Sequence, residues 1–155
     1  MQERLNGYKA APDAYKAVMA LETYVAKDSG LDRGLIHLIK LRASQINGCA
    51  YCVDMHVKEA RHDGHSEQWI ALMCVWRESP VYTARERAVL EWTEAVTRLA
   101  ETGAPDAAFE GLKPYFSEGE IAKLTVAIGV INVWNRLAVS FRTPHPLDAP
   151  TAAAA

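Results

Sequence analysis

The sequence predicts a single all-α domain of six or seven helices. Three observations lead there. Apolar residues recur at helical spacing along almost the whole chain. No segment alternates like a half-buried strand, and no tight turn joins two β-branched runs. Helix-start and helix-stop residues punctuate the chain at helix-length intervals, and two of the starts are capping boxes.

A first helix is expected from Pro12 to Lys27. Pro12 suits a first turn and Gly30 can close the end. Tyr15, Val18, Met19, Glu22 and Val25 share one face. A second helix follows a cap at Asp32, with Leu35, Leu38, Ile39, Arg42 and Ile46 in a stripe, and stops at Asn47-Gly48. A third takes Ala50 to His62 and ends at Gly64. A fourth starts at Ser66, carries Trp69, Ile70, Met73 and Trp76 on one side, and stops before Pro80. The fifth opens on the capping box Thr83-Ala84-Arg85-Glu86 and runs towards Gly103. A short sixth follows Pro105. The seventh opens on a second capping box, Ser117-Glu118-Gly119-Glu120, and continues from Ile121 to about Phe141. Thr151 to Ala155 have nothing to pack against and are expected to fray. The chain therefore divides into an N-terminal helical segment (1–30), a core (31–142) and a tail (143–155).

The 155 residues suffice for one domain with a core, and the half-hydrophobic, 23% charged composition is that of a globular chain. A net charge of −2 gives no electrostatic case for nucleic acid or an anionic membrane surface. The start of the chain is polar and lacks an apolar signal core, and the apolar stretches look too short to span a bilayer, so a cytoplasmic protein is expected. Of the three cysteines, Cys74 lies in the apolar run Ile70–Trp76 and reads as a core residue.

Cys49 and Cys52 carry the chemistry, with His56 one turn further on. Two thiols three residues apart can close a disulfide, bind a soft metal or reduce a substrate. Their position at a helix start favours the thiolate, because the free amides and the helix dipole stabilise an anion. His56, four residues after Cys52, projects from the same face and can take or return a proton. A zinc site is the rival reading. It needs two further ligands, for which His56 and His37 are candidates, and no second cysteine pair exists to complete the usual arrangement. Arg42 and Gln45 either face the site or, as such residues more often do, belong to a solvated helix face or a structural ion pair. Trp134-Asn135-Arg136 reads equally as a site wall or subunit contact and as a core tryptophan beside a locally bonded asparagine.

The run from Leu38 to His56, with its Cys-x-x-Cys-x-x-x-His pattern, resembles the AhpD-like alkylhydroperoxidases of the carboxymuconolactone decarboxylase superfamily. The likeness extends through Trp76–Pro80, Arg85–Ala95 and Ile131–Ala138, covering most of 31–142. The resemblance implies an AhpD-like core that assembles as a homo-trimer or homo-hexamer. It implies a peroxidase cycle in which Cys52 attacks a hydroperoxide, Cys49 resolves the sulfenic acid as a disulfide, and a lipoyl-type or other dithiol restores both thiols. No bound cofactor or metal is required. His56 matches the family's proton-relay histidine. The family's relay glutamate, twelve residues before the first cysteine, is here replaced by His37, expected as a weaker partner behind His56. Tyr51 stands where the best-studied branch has a histidine. Glu22, Asp54 and Glu59 are the carboxylates available to compensate. The alternative remains a redox sensor or a zinc protein using Cys49, Cys52, His56 and His37.

Overall fold

The computed structural model describes residues 2–148. Among them are nine α-helices and no strand. They are α1 (Gly7–Ala10), α2 (Pro12–Thr23), α3 (Arg33–Ile46), α4 (Ala50–His62), α5 (Glu67–Ala71), α6 (Ala84–Thr97), α7 (Leu99–Thr102), α8 (Asp106–Glu110) and α9 (Glu118–Phe141). The fraying expected of Thr151–Ala155 lies outside the described residues.

Local chemistry sets the helix starts. The Asp32 carboxylate accepts from the Leu35 amide at 3.1 Å and opens α3. Both capping boxes form, Thr83 with Glu86 and Ser117 with Glu120. Two helices exceed the expected set. One is α1, capped by Asn6. The other is α7, cut from the end of α6 where Arg98 leaves helical geometry (φ −100°, ψ 37°). The first long helix also changes character, since Tyr24–Asp28 widens into a π-helical turn.

The α3 helix is the axis of the core. It packs against α4, α6 and α9, and it buries Leu35, Leu38, Ile39, Leu41 and Ala43 together with the polar His37, Lys40 and Ser44. Burial on several faces explains why its stripe is broader than one amphipathic side. Glu94 of α6 clasps the surrounding elements. It accepts hydrogen bonds from Arg42 Nε (2.8 Å), Trp76 Nε1 (2.8 Å) and Arg77 Nη2 (2.9 Å). Arg42 is thus a structural ion-pair residue, with Gln45 accepting from its Nη1.

Two expectations need correction. Cys74 is exposed, not buried. The helix begun at Glu67 tightens into a 3-10 turn at Leu72–Glu78, and Val75 leaves helical geometry (φ −122°, ψ 27°). The face therefore rotates. Met73 and Trp76 stay inside while Cys74 and Val75 turn outwards. The second concerns apolar length. α9 has 24 residues and an apolar window of mean hydropathy 1.4, which satisfies the length and composition of a bilayer span. Here that apolarity serves packing: Ile121, Leu124, Ala127, Ile128 and Ile131 are buried against α3 and α6, and the helix carries the buried polar residues Asn132 and Asn135.

Candidate active site

The site begins where α3 ends. Gly48 adopts φ +63°, a left-handed conformation that turns the chain sharply from α3 into α4. Asn47, beside it, is tied to α9. Its Nδ2 donates to Asn135 Oδ1 (2.8 Å) and Asn132 Oδ1 (3.0 Å), while Asn135 Nδ2 donates to Ser44 Oγ (3.0 Å). The turn before the first cysteine is therefore fixed from both sides.

Cys49 is the N-cap of α4, with its sulfur accepting from the Cys52 amide at 3.3 Å. The two cysteines form a disulfide, with Cα atoms 5.3 Å apart. Both are buried, yet they are not equivalent. Cys52 borders a cavity of about 400 Å³, and Cys49 is not among its lining residues.

His56 lines the same cavity, one turn along α4. Its Nδ1 lies 2.8 Å from Glu59 Oε2. The hydrogen bond from His56 holds the Glu59 carboxyl below its ordinary value against the opposing effect of burial, with Lys40 and His37 adding favourable charge. An ionised carboxylate only accepts, so Nδ1 carries the proton. The opposite nitrogen, Nε2, is buried and has no partner among the described residues. In the neutral ring that atom is a free base.

Lys40 pairs with Glu22, which also accepts from Trp134 Nε1 at 3.2 Å. This links α2, α3 and α9 across the cavity wall. Trp134 is thus a site wall, and its neighbour Asn135 is the tether of the cysteine turn.

His37 sits elsewhere. Its Nε2 lies 2.6 Å from Asp63 Oδ2, and it makes no hydrogen bond to His56. Burial pushes His37 below its ordinary value, against the pull of Asp63. Asp63 is held down to about 2 by hydrogen bonds from His37 and His62, with Arg33 adding charge. No group of three or more His, Cys, Asp and Glu among the described residues is placed to hold a metal ion, and Cys49 and Cys52 are bonded to each other.

A family model described as the carboxymuconolactone decarboxylase family matches residues 12–95. The chain belongs to that family. Its AhpD-like character is supported by an Agrobacterium tumefaciens crystal structure of a protein of unknown function, described as a candidate antioxidant-defence AhpD. That protein is 68% identical, has a TM-score of 0.92, and the match covers 95% of this chain and 100% of the other. An uncharacterised Bacillus subtilis protein, YdfG, is 36% identical over 140 residues, covering 90% of this chain and 95% of its own. The debrominase Bmp8 shares the fold at 20% identity and a TM-score of 0.79, over 89% of this chain and 74% of its own.

The structure brings Cys49, Cys52 and His56 together on one short stretch and adds residues that sequence reasoning does not assign to the site. Among the three candidate carboxylates it is Glu59 that reaches His56; Glu22 is engaged by Lys40 and Asp54 by Lys58. Lys40, Tyr8 and Tyr15 also line the cavity. Spacing contains no signal for them, because they arrive from separate elements.

Proposed function

We propose that this AhpD-like protein is a thiol peroxidase that reduces hydroperoxides through the Cys49–Cys52 pair. One observation carries the reading: of the two cysteines it is Cys52 that lines the cavity, and the same cavity is lined by His56, whose Nε2 is buried and without a partner among the described residues.

In the reduced enzyme, His56 Nε2 takes the Cys52 proton and the start of α4 stabilises the thiolate. The thiolate attacks the terminal oxygen of ROOH. The O–O bond breaks, Cys52 becomes a sulfenic acid, and the departing alkoxide takes the proton from His56. Cys49 then attacks the Cys52 sulfur. The S–S bond forms and hydroxide leaves with the Cys49 proton as water. A dithiol reductant of lipoyl type supplies two electrons and two protons to reopen the disulfide. The sum is ROOH plus dithiol giving ROH, water and oxidised dithiol. His37, hydrogen-bonded to Asp63, takes no proton-transfer step in this scheme and adds favourable charge near Glu59 only when protonated.

A reducing compartment such as the cytoplasm suits the cycle. The homo-trimer or homo-hexamer belongs to the same proposal. The exposed apolar residues Leu99, Val126 and Val133 favour self-association, which light scattering reads directly.

Stopped-flow oxidation of the reduced protein by an organic hydroperoxide, with mass spectrometry of the product, tests the cycle. Wild type should form the Cys49–Cys52 bond. Cys52→Ser should consume no peroxide, and Cys49→Ser should stop at a sulfenic acid trapped by a dione reagent. Full peroxide consumption by Cys52→Ser would overturn the assignment.

A further inference from the structure

We propose that the cavity selects neutral hydroperoxides bearing an aromatic ring, and that Tyr8, Tyr15 and Trp134 are the residues that select them. This rests on the peroxidase reading of the same site.

The cavity is far larger than its smallest substrate requires. Hydrogen peroxide is little bigger than a water molecule, whose share of liquid volume is about 30 Å³. The cavity encloses about 400 Å³, within the range of sites that bury an organic ligand. Most of that space must receive something other than the peroxide group.

Three aromatic rings border it in series. The Tyr8 and Tyr15 centroids lie 5.6 Å apart, edge to face, and those of Tyr15 and Trp134 lie 5.9 Å apart. Both separations match favourable aromatic pairing, so the three rings pack on one another as a continuous aromatic wall against which a ligand ring can pack. The rings are held. Trp134 donates to Glu22, itself gripped by Lys40. The backbone of α1 closes over Tyr15: a Cβ at Gly7 would stand 2.2 Å from the Tyr15 hydroxyl oxygen, so only glycine allows this approach. Arg4 fastens the same segment to the end of α9, its amide donating to the Phe141 carbonyl (2.9 Å) and its Nη1 to the Ser140 carbonyl (3.2 Å). The N-terminal segment is thus part of the binding wall.

Charge argues for a neutral tail. The cation in the lining, Lys40, is already paired with Glu22, and Glu3 and Glu59 add negative charge. A carboxylate-bearing tail would meet repulsion with no free cation among the described lining residues to offset it.

The test compares oxidation of the reduced full-length protein by cumene hydroperoxide, tert-butyl hydroperoxide and hydrogen peroxide, in wild type, Tyr8→Ala and Tyr15→Leu. Binding of the unreactive product, cumyl alcohol, is followed in parallel by saturation-transfer NMR. Wild type should prefer cumene hydroperoxide. The cumene-to-hydrogen-peroxide ratio of rate constants should fall about five- to tenfold in Tyr15→Leu, the size expected for a lost aromatic pair, and less in Tyr8→Ala at the rim. Cumyl alcohol should bind wild type and bind Tyr15→Leu more weakly. Equal rates with all three peroxides and no cumyl alcohol binding would overturn the selection while leaving the peroxidase reading intact. Cumyl alcohol binding without oxidation by any peroxide would remove the peroxidase reading and retain the aromatic site. Absence of both would remove both.

Discussion

Glu59 Oε2 lies 2.8 Å from His56 Nδ1, and His56 Nε2 on the far side of the ring is buried without a partner among the described residues. The carboxylate fixes the tautomer that leaves a base at the cavity. In the proposed cycle it would take the place that the AhpD-like resemblance assigns to a glutamate twelve residues before the first cysteine, where this chain has His37.

Glu59→Gln tests that relationship. The amide oxygen can still accept from Nδ1, but the negative charge that stabilises the protonated ring is gone. Thiolate oxidation at neutral pH should slow on the order of tenfold, a fraction of what a positioned base contributes. The pH–rate profile should also shift, which a loss of packing alone would not produce. In wild type Glu59 is held below its ordinary carboxylate value by His56. Its contribution is therefore complete above that ordinary value and is lost as pH falls through the lowered one. An unchanged profile in Glu59→Gln would remove Glu59 from the mechanism.

His37 should impose a different pH dependence, on stability. Burial lowers its folded value below the 6.5 of a free histidine. As pH falls below 6.5 the unfolded chain binds a proton that the folded chain resists, so stability falls until the folded value is passed. Thermal melts across this range should show a declining Tm in wild type and a flatter dependence in His37→Gln. Equal slopes would show that another group carries the titration.

The tether between α9 and the cysteine turn should matter for both stability and rate. Asn135→Ala strands the buried Ser44 hydroxyl and removes one of the two acceptors of Asn47, leaving it only Asn132. The cost should be about 1–3 kcal/mol, read as a lowered midpoint in urea with unchanged slope. Disulfide formation after peroxide attack should slow as well, because the turn that presents Cys49 loses its anchor. Loss of stability with no change in that rate would make Asn135 a packing residue only.

What the sequence made legible was what neighbouring residues decide. Asp32, Thr83 with Glu86, and Ser117 with Glu120 open their helices through contacts three residues away. Cys49, Cys52 and His56 share a site because one helix carries them. The rest depended on how helices meet. Glu22, Asp54 and Glu59 looked equivalent until Lys40 and Lys58 engaged the first two. Tyr15 and Trp134 border one cavity although 119 positions separate them, and nothing in either neighbourhood signals the other. Cys74 was misread because its apolar run follows helical spacing up to the point where a 3-10 turn rotates the face.

Glu94 gives a stability prediction that sequence spacing could not. Burial pushes its carboxyl up, but hydrogen bonds from Trp76 and Arg42 and the charges of Arg42 and Arg77 hold it below its ordinary value. Glu94→Ala strands a largely buried Arg42 and should cost about 3–5 kcal/mol. Glu94→Gln keeps an acceptor for Trp76 and should cost less. Chemical denaturation of both variants measures the difference, and a wild-type-like Glu94→Ala would show that the clasp is dispensable.

Thiol labelling separates the three sulfurs. In the oxidised protein Cys74 is free and exposed, so one thiol should react rapidly with an alkylating reagent. After reduction two more thiols become available, both almost fully buried, at 1% exposure for Cys49 and 2% for Cys52. Similar burial would predict similar rates if access came through the surface alone. Cys52, however, borders the cavity and Cys49 does not. Peptide mapping of a brief labelling pulse should therefore find Cys52 modified before Cys49, and cumyl alcohol should slow Cys52 labelling while leaving Cys74 unaffected. Earlier labelling of Cys49 would exchange the roles of the two sulfurs, making Cys49 the one that meets the peroxide.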